Sequence, residues 1–187
     1  MEYVSRAGEK LEHALNTFGI SVKDLVCADF GSNTGGFVDV LLEFGAMKVY
    51  SIETGKGVLD WRLRNDARVI VMERTNAMHV ELPEKVDFIC MDTSWTKLEK
   101  VLPNAIKNLK SEGSLIALVK PHYEAEANML RKGKLPEEFI PEVLDRLRNK
   151  IKKLNLEIIG ETESPIVGEK AKNKEFLMYL KPLIFNQ

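Results

Sequence analysis

Four charged residues each close an apolar run in this 187-residue chain. Asp29 follows Leu25-Val26-Cys27-Ala28, Glu53 ends Lys48–Glu53, Asp92 follows Val86–Met91, and Lys120 follows Ser114–Val119. Carboxylates and an amine gathered at one edge can hold a polar ligand, orient hydroxyls and move a proton. The richest stretch is LVCADFGSNTGGFVDVLL. There Asp29 runs into a turn containing Gly31, Ser32, Asn33, Gly35 and Gly36, and a second apolar segment opens at Phe37. That order is strand, tight loop, helix, the opening of a nucleotide-binding α/β unit. Glycines let a ligand lie against bare backbone, and the amides that start the following helix face it. The spacing is D-x-G-x-x-x-G-G, with Asn33 where a dinucleotide-binding loop wants its second glycine. It suits a nucleoside or amino-acid-like ligand better than a pyrophosphate. About twenty residues on, Glu53 could accept both hydroxyls of a ribose, because two acceptor oxygens match a cis-diol. A glycine-rich turn without a ligand fits the same residues.

The elements that must carry these groups follow from periodicity. Ser5 to Gly19 reads as a helix with Ser5 as N-cap, an apolar stripe of Leu11, Ala14, Leu15 and Phe18, and Gly19 closing it. Val58 to Arg64 reads as a short helix carrying Trp61. Arg68–Met72 reads as a third strand, with Glu73-Arg74-Thr75-Asn76 as its polar exit. Leu98 to Leu109 forms a helical stripe in which Pro103 marks a kink or a first turn. Glu124 to Pro136 has no sustained period and reads as a mobile loop or short helix. Ile140 to Leu154 is a long amphipathic helix. Leu156–Glu161 and Glu175–Leu180 are the last strands, with the basic loop VGEKAKNK between them. The alternation predicts an α/β fold: a mostly parallel sheet covered on both faces and closed by an antiparallel hairpin. In such sheets ligands sit off the carboxyl ends of the strands, so Asp29, Glu53, Asp92 and Lys120 should converge on one cleft.

Length predicts one domain over 1–187. No apolar run reaches the roughly 18 residues of a membrane helix, and no secretory signal is readable, so the expected compartment is the cytoplasm. Cys27 and Cys90 fall inside apolar runs and read as buried thiols; no spacing suggests a metal site, and His122 lacks a partner at ligand spacing. The net charge of −1 gives no global nucleic-acid signal. The basic runs Arg131–Lys134, Arg146–Lys153 and Lys170–Lys174 could contact phosphates, but such runs are usually solvated faces. Trp95, His122 and Tyr123 follow two of the strand ends, where an aromatic could stack on a base; ordinary packing accounts for them equally.

The blocks YVSRAGEKLEHAL, CADFGSNTGGFVDVLLEFGAMKVYSIETGKGVLDWRLRNDARVIVMERTN and LVKPHYEA resemble the catalytic domain of TlyA-type (hemolysin A-like) RNA methyltransferases, similar in turn to the FtsJ/RrmJ enzymes. The resemblance runs from Tyr3 to Leu180. It implies the class I S-adenosylmethionine-dependent fold, with seven strands, and 2′-O-methylation of RNA, ribosomal RNA or a ribosomal subunit being the expected partner. It also implies a Lys-Asp-Lys-Glu tetrad of Lys10, Asp92, Lys120 and Glu175, although composition alone makes Lys10 a solvated lysine. For S-adenosylmethionine it implies Asp29, Gly31, Ser32, Asn33, Gly35, Gly36, Phe37, Glu53, Thr75, Asn76 and Asp92. Arg74, Thr75 and Asn76 carry over less firmly. Glu53 stands where the family more often has Asp, and the Glu126–Pro136 loop departs from its glycine-rich pattern. TlyA-type proteins also carry an N-terminal S4-type RNA-binding domain, whereas this sequence opens at the helix bearing Lys10. A binding protein without turnover and a methyltransferase acting on something other than RNA are the competing readings. A pore-forming hemolysin is excluded by the absence of any segment able to span or coat a bilayer.

Overall fold

The computed structural model describes residues 3–169 and 171–183; Lys170 of the third basic run lies outside them. In chain order the elements are α1 (Ala7–Phe18), β1 (Val26–Phe30), α2 (Gly36–Glu43), β2 (Lys48–Ile52), α3 (Trp61–Arg64), β3 (Val69–Met72), β4 (Val86–Met91), α4 (Leu98–Asn108), β5 (Leu109–Val119), α5 (Pro121–Glu124), α6 (Ile140–Lys153), β6 (Leu156–Glu163) and β7 (Phe176–Pro182). The seven strands form one sheet in the order β3-β2-β1-β4-β5-β7-β6. β1 pairs in parallel with both β2 and β4, and β7 runs antiparallel to both β5 and β6. This is the doubly wound, mostly parallel sheet with a C-terminal hairpin that the alternation predicts.

Every residue of β1 is buried, because helices cover both of its faces. One core packs α4 and α6 on one side through Leu98, Leu102, Leu144 and Leu147; the other packs α1 and α2 on the opposite side through Leu11, Leu15, Phe37 and Leu41. Each such side chain contributes about 1.5–3 kcal/mol on burial. Strand order reverses between β1 and β4, so the sheet offers its ligand crevice there.

Several boundaries differ from the sequence expectation. Ser5 is not the cap of α1. Arg6 takes that position with no side-chain cap, and the Ser5 carbonyl accepts from Gly8 N at 3.0 Å. Gly19 closes the helix as expected, in the left-handed region at φ 63°. The helix expected over Val58–Arg64 is a single turn from Trp61, where the Asp60 carboxylate accepts from Arg62 N at 2.8 Å. Pro103 lies mid-helix in α4 rather than in its first turn, on the exposed side. The stretch after Glu124, expected as a mobile loop or short helix, is a loop carrying short helical turns. It holds two 3₁₀ turns, Ala127–Met129 and Glu137–Phe139, and a tight turn in which Arg131 and Lys134 exchange two backbone hydrogen bonds. Asn173 fixes that turn, accepting from Leu135 N at 2.9 Å and donating to Gly133 O at 3.1 Å. A partner this remote in sequence leaves no local period to read.

Candidate active site

The exits of β1, β2, β3 and β4 open on one cleft of ≈ 430 Å³. Its lining includes Asp29, Gly31, Ser32, Asn33, Phe37, Glu53, Thr75, Asn76 and Asp92. The turn after β1 is built by backbone demands. Gly31 has φ 91°, and a Cβ there would meet the Asp92 carbonyl oxygen at 2.7 Å. Only glycine lets the β1 and β4 exits approach so closely. The Gly31 and Ser32 amides both donate to Ile52 O, at 2.9 and 3.0 Å. Asn33 adopts φ 49°, a conformation asparagine tolerates better than most side chains, so no second glycine is needed.

Gly35 and Gly36 do not line the cleft. A Cβ on Gly35 would run into Leu59 at 2.7 Å, and one on Gly36 would meet Gly8 N at 2.9 Å. These glycines bring α2 against α3 and α1, so packing among helices accounts for them. Ser32, Thr75 and Asn76 border the cleft with side chains already engaged on backbone: Ser32 Oγ donates to Asp29 O, Thr75 Oγ1 donates to Glu73 O, and Asn76 Oδ1 accepts from Met78 N. Met78, Val58 and Thr93 also line the cleft. The sequence offers for them only their closeness to the strand exits.

Two acids in the cleft have opposite electrostatics. Glu53 is partly buried, which disfavours its charge, yet amides of Gly55 at 2.8 Å and Asn33 at 2.9 Å outweigh that and hold its carboxyl below the usual range. With the Thr54 hydroxyl it takes three protein donors. Roughly one of a carboxylate's four acceptor sites stays open, enough for one ribose hydroxyl without displacing a protein donor. Asp29 is fully buried, and neither carboxylate oxygen has a hydrogen-bond partner. Burial first, then the nearby Asp92 charge, pushes its pKa from 3.8 up to about 8.

The four tetrad positions form two ion pairs. Lys120 closes β5 and donates to Asp92 Oδ1 with both side chains largely shielded, 12% and 20% exposed. Lys10 on α1 donates to Glu175 Oε2 at 2.6 Å, and those side chains are only 10% and 3% exposed. The solvated lysine expected from composition is therefore buried. α1 reaches Glu175 because it lies on the hairpin: Phe18 stacks on Tyr179 at 5.8 Å, and Gly160 leaves room for its ring. The antiparallel pairing Val119↔Phe176 brings Lys120 and Glu175, one residue further on each strand, side by side. The two pairs therefore sit on neighbouring strand ends; Asp92 lines the cleft, whereas Lys10, Lys120 and Glu175 are not among its lining residues.

Aromatic side chains border the Lys120–Asp92 pair. Trp95 lines the cleft, stands 78% exposed and packs on Tyr123 at 5.2 Å. The Tyr123 ring packs at a tilt against His122, 4.2 Å between centroids, and lies 5.9 Å from Lys120 Nζ. Burial, then the Lys120 charge, pushes the His122 pKa down to about 4, so its ring is neutral at physiological pH. Part of the basic face of α6 is committed elsewhere: Arg146 pairs with Glu126 and Glu142, Arg148 with Asp145 and Glu161, and Lys150 with Glu99.

The cleft suits a ligand joining a nucleoside to a charged amino-acid part. Glu53 offers an acceptor for a sugar hydroxyl, Gly31 offers bare backbone, and Asp29 offers an unpartnered carboxyl for a cation.

Comparison with known proteins agrees with that geometry. The family model described as FtsJ-like methyltransferase matches residues 3–181. Hemolysin A of Brachyspira hyodysenteriae is 38% identical over 96% of this chain and 77% of its own length. The 16S/23S rRNA (cytidine-2′-O)-methyltransferase TlyA of Mycobacterium tuberculosis is 35% identical over 96% of this chain and 68% of its own length. A solved structure from Streptococcus thermophilus carrying a provisional hemolysin label superposes with a TM-score of 0.94 at 37% identity, covering 98% of this chain and 68% of that one.

Proposed function

The chain belongs to the FtsJ-like methyltransferase family, and from that premise we propose that it methylates the 2′-hydroxyl of a ribose in ribosomal RNA, with S-adenosylmethionine as donor. The observation that carries this reading is the Lys120–Asp92 ion pair beside Gly31, flanked by the Lys10–Glu175 pair. Support for RNA comes from the M. tuberculosis relative, whose name specifies cytidine 2′-O-methylation of rRNA. Residues 1–187 act in this reading as one catalytic domain. Its place is the cytoplasm, where ribosomal subunits are found. Among the described residues no helix is long and apolar enough to cross a membrane.

S-adenosylmethionine supplies a methyl group already activated by the sulfonium charge, so the protein's task is to place the hydroxyl in line and ease the loss of its proton. Glu53 would hold the donor's ribose, Gly31 would let it lie against bare backbone, and Asp29 would meet the positive charge of its sulfonium. Lys120, held by Asp92, would stabilise the negative charge that grows on the attacking oxygen as its proton leaves. Glu175 neutralises Lys10, so the second pair adds no net charge beside Lys120. Trp95 offers an exposed ring on which the target base can stack.

The test incubates the protein with labelled S-adenosylmethionine and ribosomal subunits from cells lacking it, and compares the Lys120→Ala variant. Label in rRNA that disappears with Lys120→Ala is expected. Label in protein or small molecules would move the substrate class, and full turnover by the variant would remove Lys120 from the chemistry.

A further inference from the structure

Asp29 is unusual among the acids of the cleft. It ends β1 at the point where strand order reverses, lines the cleft, is fully buried, and has neither oxygen hydrogen-bonded. Its charged neighbours bring it no cation. Asp92 faces it from the β4 exit and Glu53 from the β2 exit; the Ser32 hydroxyl and the Cys90 thiol lie close enough to favour its charge but donate to backbone, at Asp29 O and Ala28 O. The nearby ammonium groups are committed, Lys120 to Asp92 and Lys10 to Glu175. A buried carboxylate without a donor or cation is costly, so such a group keeps its proton until a cation arrives.

We propose that Asp29 is a proton-linked counter-charge through which the cleft prefers S-adenosylmethionine over the spent S-adenosylhomocysteine. It ionises as the sulfonium donor enters and takes a proton back once the methyl group has left. This rests on the methyl-donor reading above and adds a physical basis for product release. Transfer breaks the sulfur–methyl bond, forms an oxygen–methyl bond and frees the hydroxyl proton to solvent. The sulfur loses its positive charge in that step. The ionised Asp29 is then again a buried anion without a partner, and its reprotonation removes the attraction that held the donor.

Calorimetry in buffers of different ionisation enthalpy tests this, with both compounds bound to the wild type and to Asp29→Asn from pH 6 to pH 9. The donor's own amino group titrates in the same window, and the difference between the two proteins cancels it. The wild type should release close to one extra proton per S-adenosylmethionine at pH 7, and little extra at pH 9. With an Asp29 pKa of about 8, its preference for S-adenosylmethionine over S-adenosylhomocysteine should rise roughly fifty-fold from pH 6 to pH 8, then level off. Asp29→Asn should lose that dependence. Should the variant not fold, the carbon NMR shift of the wild-type Asp29 carboxyl gives the same answer: protonated in the free protein at pH 7, ionised on adding S-adenosylmethionine. Equal proton release by the two proteins, or a carboxyl that does not respond to the donor, overturns the inference while the methyl-donor reading stands. Failure to bind S-adenosylmethionine at any pH overturns both.

Discussion

Replacing Lys10 with methionine separates the structural role of its ion pair from the catalytic one. Glu175 is 3% exposed and its Oε2 takes the Lys10 ammonium at 2.6 Å, so the single change leaves a carboxylate in the interior with its cation gone. Breaking a buried pair from one side costs about 3–5 kcal/mol, because the remaining charge has lost its compensation. For a domain of this size that lowers the melting temperature by roughly 6–20 °C. Removing both charges in Lys10→Met/Glu175→Leu eliminates the desolvation burden as well as the attraction, and such replacements are typically neutral or stabilising by about 1–4 kcal/mol. Urea unfolding of the wild type, both singles and the double gives the coupling energy, and rRNA methylation by the same four proteins gives activity. The expected outcome is an unstable single variant and a stable double variant that is nevertheless inactive. A loss under about 1 kcal/mol for Lys10→Met would refute the reasoning, since it would mean water reaches Glu175. A stable double variant with full activity would leave the pair a purely structural role.

Asp29→Asn should stabilise the protein, and increasingly so as pH rises. A carboxyl whose pKa is 3.8 unfolded and about 8 folded binds more protons in the native state between those values, so stability falls as pH climbs through that window. Relative to the variant, the wild type should lose about 4 kcal/mol by pH 7, read from urea midpoints at pH 4 and pH 7. Gly31→Ala places a Cβ at 2.7 Å from the Asp92 carbonyl at a positive φ. It should cost about 1–3 kcal/mol of stability and weaken S-adenosylmethionine binding measured by calorimetry; an unchanged affinity would show that the strand exits tolerate separation. Trp95→Ala removes a largely exposed ring, so stability should change by less than about 0.5 kcal/mol. Its KM for RNA should rise by the roughly 1–3 kcal/mol of one stacked base, and an unchanged KM would exclude stacking on Trp95.

The sheet was legible because its strands are runs of β-branched and aliphatic residues separated by stretches of helical period, and neither signal needs a distant partner to be recognised. β1, β2 and β4 fall within a residue or so of their expected limits for that reason. What the sequence hid depends on long-range contact. The turn Arg131–Lys134 is fixed by Asn173, about forty residues away, and Lys10 is buried only because α1 lies on the hairpin that presents Glu175. Gly35 and Gly36 mislead in the opposite direction. A glycine needed for helix packing and one needed for ligand approach look alike in a sequence, and only the atoms a Cβ would strike tell them apart.

The same distinction governs the charges of the site. Strand-end logic brought Asp29, Glu53 and Asp92 to one crevice, with Lys120 joined to it through its pair with Asp92, but location does not fix ionic state. Lys120 and Asp92 cancel, Lys10 and Glu175 cancel, and Asp29 is mostly protonated at pH 7, leaving Glu53 as the uncompensated anion of the group, held by backbone amides. A cleft so nearly neutral attracts no cation over long range. On the proposal made above, its selectivity for a sulfonium comes from Asp29, the acid that burial leaves ready to change state when the ligand arrives.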